Sequence, residues 1–283
     1  MPEIPGTVSQ ILWHFTGGPT WNEVDKRQNV APKSAADAYR ALNGILRAKE
    51  LRLGSYQEVV RVRIPEVRRR DPKTKKIKIE RDVMRTLRSC AVCCLADIPI
   101  MHLSYHAARY GKFAIGFHRD AAIRAGFNPV FYTVHHSSVI RSIRTGFNKM
   151  RTVDPETAHS LLADIEHEVQ SKDVEYDVGY YASQLSEEFD DIRRAVMTTK
   201  RSIEQFLAFI KTFETDEFQT VYCEREWRAV TPFTFSYEDV AMIVVPQKVG
   251  ENLYFQRFVS SQAKRYKLPR SIPIVPWETL LES

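Results

Sequence analysis

Two stretches of this 283-residue chain hold side chains whose types and spacing suit chemistry. In ILWHFTGGP, residues 11–19, an apolar run delivers His14 and Thr16 to the pair Gly17-Gly18. A histidine there either packs in a core or opens a ligand site. The glycines either make a tight turn or let backbone approach a ligand closely. In TVYCEREWRAV, residues 220–230, strand alternation places Tyr222, Glu224, Glu226 and Arg228 on one face and Val221, Cys223, Trp227 and Ala229 on the other, together with Arg225. Carboxylates beside an arginine, backed by a bulky apolar face, could line a cleft where a carboxylate stabilises developing positive charge. A solvated strand face is the alternative.

Other constellations are weaker. Cys90 and Cys93 precede His102 and His106 at a zinc-like spacing, but the cysteines lie in the apolar run SCAVCCLAD and read as small buried hydrophobes, so no metal is expected. No glycine-rich phosphate loop, G-x-S-x-G elbow or H-E-x-x-H motif occurs in the sequence. The four cysteines, with no N-terminal apolar leader, read as reduced thiols of a cytoplasmic protein. No run approaches the roughly 18 apolar residues of a membrane helix, so no membrane partner is expected.

Charge is unevenly distributed. Residues 61–88 carry twelve Lys/Arg against four Asp/Glu, whereas residues 154–194 carry twelve acids against three bases. The basic stretch alternates like a hairpin, Val60, Val62 and Ile64 leading to a turn at Asp71-Pro72-Lys73-Thr74 and Ile77, Ile79 and Val83 returning. Its Arg68, Arg69, Arg70, Lys75, Lys76 and Lys78 are candidates to lie along the phosphates of RNA or DNA. Charge that protects an exposed strand edge is the alternative. The acidic stretch reads as an exposed helix face, or as a cover for the basic hairpin.

The elements that must position these residues are an initial strand, an amphipathic helix from Ala35 to about Lys49 started by Ser34, and apolar strands in SCAVCCLAD, KFAIGFHRD, PVFYTV, AMIVVP and SIPIVP. A helical block intervenes, with Leu185, Phe189, Ile192, Val196, Ile203, Phe206, Leu207, Ile210 and Phe213 as its apolar stripe. The pattern predicts an α+β fold in one domain, 1–283, with a basic hairpin insertion at 57–88 and a helical insertion at 154–215. ENLYFQ at 251–256 spells a protease site common in expression vectors, yet an amphipathic segment continues beyond it.

Residues CLADIP (94–99), YGKFAIGF (110–117) and PVFY (129–132), with LWHFT, EREWRAV and IPIVPWE, resemble the AbiGi-type abortive-infection proteins of bacteria. That resemblance implies phage defence, usually as the antitoxin of a two-protein system, and hence a toxin or antitoxin partner. A second resemblance, carried by aromatic-His-aromatic-Thr on the first strand and a glutamate on a late strand, is to DarT-like ADP-ribosyltransferases. It implies a split, strongly twisted sheet and NAD as substrate. His14 and Thr16 would then bind NAD, Glu226 would stabilise the oxocarbenium-like state as nicotinamide leaves, and Glu224 would orient the acceptor. Tyr110 or Tyr105 would be the middle aromatic. The expectation is an ADP-ribosyltransferase-like defence enzyme acting on a nucleic acid or protein. The alternative is a non-catalytic antitoxin or sensor that binds a toxin, phage protein or nucleic acid.

Overall fold

A computed structural model describes residues 9–22, 27–28, 31–54, 56–71, 73–151, 178–215 and 224–281. Strand β1 (Ile11–Phe15) leads through the glycine turn and the short strands β2 (Trp21–Asn22) and β3 (Arg27–Gln28) to helix α1 (Ala35–Ala48) and β4 (Glu50–Leu51). The long strands β5 (Gln57–Arg70) and β6 (Ile77–Ala91) precede β7 (Cys93–Ala96), α2 (Leu103–Tyr110), β8 (Ala114–His118), α3 (Arg119–Arg124), β9 (Asn128–Pro129) and β10 (Phe131–Val134). Helices α4 (Ser138–Arg151) and α5 (Val178–Leu207) are followed by β11 (Ile210–Phe213), β12 (Glu226–Ala229), β13 (Phe233–Thr234), β14 (Val240–Val245) and β15 (Ile274–Pro276).

The fold is α+β, with a seven-stranded sheet in the order β15-β14-β8-β1-β7-β12-β9. All the pairings given for it are antiparallel except that of β14 with β15. Alternation along β1 sends Leu12 to one side of the sheet and Trp13 and Phe15 to the other. On the first side, Ala38, Tyr39, Leu42 and Leu46 of α1 pack with Leu12, Ile115 and Phe117. The helix begins where Ser34 accepts the Asp37 N–H, and it ends at Lys49 in the left-handed conformation. On the second side, Trp13, Phe15 and Ala96 pack with Leu103 and Ala107 of α2 and with Trp277. The Trp13 indole N–H donates to Ile98 O at 3.1 Å.

The chain divides into two compact units, residues 1–58, 90–132 and 208–283, and residues 59–89 and 133–207. The second holds the β5–β6 ribbon beyond its base together with α4 and α5. The expected helical stripe is corrected at its end, because Ile210 and Phe213 are buried strand residues of β11 and Phe206 is exposed. The first part of the expected helical insertion, residues 154–177, lies outside the described residues. In ENLYFQ, Tyr254 is a core residue whose ring lies 5.1 Å from that of Tyr39 and 5.2 Å from that of Phe113. Tyr254 thus anchors the segment to the core, whereas Glu251, Asn252, Leu253 and Gln256 are exposed.

Gly116 faces Trp13 across the β1–β8 pair, and a Cβ there would lie 2.6 Å from Ile11 Cγ2 and 2.9 Å from Trp13 Cζ3. Gly116→Val is expected to cost about 1–3 kcal/mol through overpacking, measured as a lowered midpoint in urea unfolding at unchanged slope.

Candidate functional site

The second side of the sheet carries the polar cluster. Glu226 pairs in register with Ala96, and Arg228 with Cys94, so both side chains share the side of Trp13, which also pairs with Ala96. Alternation within the expected strand stops short: β12 begins at Glu226, and Arg225 has a positive φ of 39°. Tyr222 and Cys223 lie outside the described residues.

Arg228 is the centre of the cluster. Its guanidinium is fully buried and donates to Glu58 at 2.5 Å, Glu226 at 2.7 Å and Ala208 O at 2.6 Å. Lys211, from β11, bridges onward, contacting Glu226 at 3.3 Å and forming a short ion pair with Glu224. Glu224 also accepts from Arg109 at 2.7 Å and from the Tyr110 hydroxyl at 3.2 Å. Tyr56 donates to Glu58 at 2.8 Å, and the Glu226 N–H donates to the Tyr132 hydroxyl at 2.8 Å. Three carboxylates face three cations, which leaves the cluster neutral.

The electrostatics follow from that balance. Burial raises the Glu226 carboxyl, but Arg228 and Lys211 outweigh it and hold the group well below the usual carboxylate range. Burial opposes the charge on Lys211 and on Arg228, and the surrounding carboxylates outweigh it and raise both. Burial, then the charge of Glu226, pushes the Cys94 thiol up. The His106 ring stacks on Tyr110 at 4.3 Å, and burial, with the Arg109 charge adding, lowers it to about 4.

His14 is elsewhere. It follows Trp13 on β1 and therefore faces the first side of the sheet, opposite to Glu226. Its Nδ1 lies 3.1 Å from Cys94 O, and burial lowers its pKa. The Thr16 hydroxyl donates to Ala38 O at 2.8 Å. The glycines serve a close approach within the chain: a Cβ at Gly17 would lie 2.7 Å from Tyr110 O, and one at Gly18 would lie 3.1 Å from the Tyr110 ring. The structure thus brings together Glu224, Glu226 and Tyr110 and separates them from His14 and Thr16. Tyr105 is exposed.

Among the described residues, no three His, Cys, Asp or Glu side chains converge as a metal site. Cys93 lies in the core, where burial raises its thiol to about 12. Among the described residues, no helix is long and apolar enough to cross a membrane. Arg68, Arg69, Arg70, Lys75, Lys76 and Lys78 are all exposed on the β5–β6 ribbon.

Residues 57–278 match the family model described as "Putative abortive phage resistance protein AbiGi, antitoxin". The chain belongs to the AbiGi family. The matched span includes the ribbon and every charged member of the cluster, from Glu58 to Arg228, and begins after His14 and Thr16. No curated protein and no solved structure matches the chain.

Removing one member of this cluster strands the others. Arg228→Met leaves Glu58 and Glu226 buried without their shared cation and is expected to cost about 3–5 kcal/mol in denaturant unfolding. The pH dependence has a definite sign. The lowered Glu226 contributes stability that is present above its unfolded value, about 4.3, and is lost as pH falls below it. His106, lowered from 6.5 to about 4, contributes stability that is lost as pH falls through that window, because the unfolded chain takes up the proton first. His106→Gln should flatten the stability profile between those two pH values, and Glu226→Gln should flatten it only below them.

Proposed function

We propose that this chain is the antitoxin component of an abortive-infection pair and acts by binding a toxin protein, without catalysing a reaction of its own. The AbiGi membership supports the biological setting. The observation that carries the non-catalytic reading is the closure of the carboxylate cluster. Glu226 meets both Arg228 and Lys211, and Glu224 meets Lys211, Arg109 and Tyr110. A carboxylate aimed at developing charge in a substrate needs an open side. Here the neighbouring side chains occupy both carboxylates, and the cluster is already neutral. It is suited to hold β12, the segment around Ala208 and the base of β5 in fixed register.

An antitoxin acting by binding is expected to form a stoichiometric complex with a protein whose expression alone arrests growth, and to relieve that arrest when co-expressed. Relief should persist in a His14→Gln variant, since His14 stands apart from any reactive carboxylate. Growth arrest caused by the chain itself, relieved by a second protein, would reverse the assignment.

A further inference from the structure

The β5–β6 ribbon carries more cation than its own carboxylates balance. All four acids of residues 61–88 are engaged within the ribbon: Glu66 with Arg68, Glu80 with Lys78 and Arg85, Asp82 with Arg63, and Asp71 with the turn. In the turn, Asp71 accepts the N–H groups of Lys73 and Thr74, and Lys75 adopts a positive φ of 57°. Among the described residues, Arg69, Lys73, Lys75, Lys76 and Arg81 make no ion pair, and all five are exposed. The charge at this end of the ribbon is therefore uncompensated, on both strands and at the turn.

The composition discriminates between partners. Protein interfaces are enriched in aromatic residues and depleted in Lys, whereas residues 57–91 contain no Phe, Tyr or Trp. The same lack of aromatics disfavours single-stranded nucleic acid, which binds by stacking its bases. Double-helical phosphate remains. A two-stranded ribbon fits the major groove of B-form DNA, about 12 Å wide, whereas the major groove of A-form RNA is too deep and narrow to admit it. The six residues from Pro65 to Arg70 reach about 20 Å at the rise of a strand, enough to enter such a groove and span its flanking phosphates. Ile77 and Ile79, two apart on β6, are exposed at 64% and 49% and share one side of the strand. Exposed aliphatic side chains among cations match the apolar contact that a thymine methyl offers in that groove.

We infer that the outer β5–β6 ribbon is a DNA-binding arm that enters the major groove of duplex DNA, its unpaired Arg and Lys side chains on the phosphates and Ile77 and Ile79 toward the bases. This site is separate from the toxin-binding reading and stands or falls independently of it.

The test is fluorescence anisotropy of a labelled mixed-sequence DNA duplex across a salt series, with the full chain and with the variant Arg69→Gln/Lys73→Gln/Lys76→Gln/Arg81→Gln. All four positions are exposed, and circular dichroism verifies that the variant is folded. Matched single-stranded DNA and duplex RNA are run alongside. The chain should bind duplex DNA more tightly than either. The variant should lose affinity, with a slope of log affinity against log salt flatter by about 3–4, at about 0.9 per phosphate contact removed. A slope unchanged by the four substitutions would overturn the inference, as would equal or tighter binding of single-stranded DNA or duplex RNA. A third overturning result is no duplex binding at all by a chain that loses a co-purifying acidic protein in the variant, which would make the ribbon a protein dock.

Discussion

The rest of the first unit depends on one constraint, a guanidinium with no exposure to water. Arg228 must lie among acceptors because a buried charge without partners costs several kcal/mol. Its acceptors come from three distant parts of the chain: Glu58 at the base of β5, Glu226 two residues back on β12, and the Ala208 carbonyl ahead of β11. Satisfying one side chain thus fixes the meeting of three segments. Lys211 extends the same logic to Glu224, and Glu224 ties in α2 through Arg109 and Tyr110. Such a network need not add net stability over an apolar equivalent, but it penalises every arrangement that separates its members.

A second charge cluster, around the buried Asp97, repeats the device. Asp97 accepts from Arg119 at 3.1 Å and Arg225 at 3.2 Å, while its own N–H donates to Arg225 O at 3.0 Å. This holds the segment after β7 against the approach to β12. Together the two clusters explain how so polar a stretch as EREWRA runs into the sheet: each of its charged side chains meets a charge of opposite sign. They also explain how the AbiGi match can include charged residues without implying that those residues react.

Much of the frame was legible in the sequence because local rules decide it. Ser34 caps α1, Asp71 closes the ribbon turn, and the apolar runs become β1, β7, β8 and β14. The candidate site was legible only in part. Glu226 and Arg228 share a face because they are two apart on a strand, but Glu58 lies 170 residues from Arg228, and no short-range pattern announces that pairing. Lys211 gave no signal beyond a lysine in an apolar run. The faces of His14 and Glu226 were hidden for a different reason. Strand register decides them, and a one-residue slip in pairing would reverse the side. With Trp13 and Glu226 both opposite Ala96, His14 falls on the far side.

A closed carboxylate clamp is tested most directly by measuring nicotinamide release from NAD by the purified chain and by Glu226→Gln, with and without duplex DNA. The clamp predicts no release above the protein-free rate in any combination. Release that scales with the concentration of the native chain and disappears in a folded Glu226→Gln variant would contradict it, and would make Glu226 a catalytic residue.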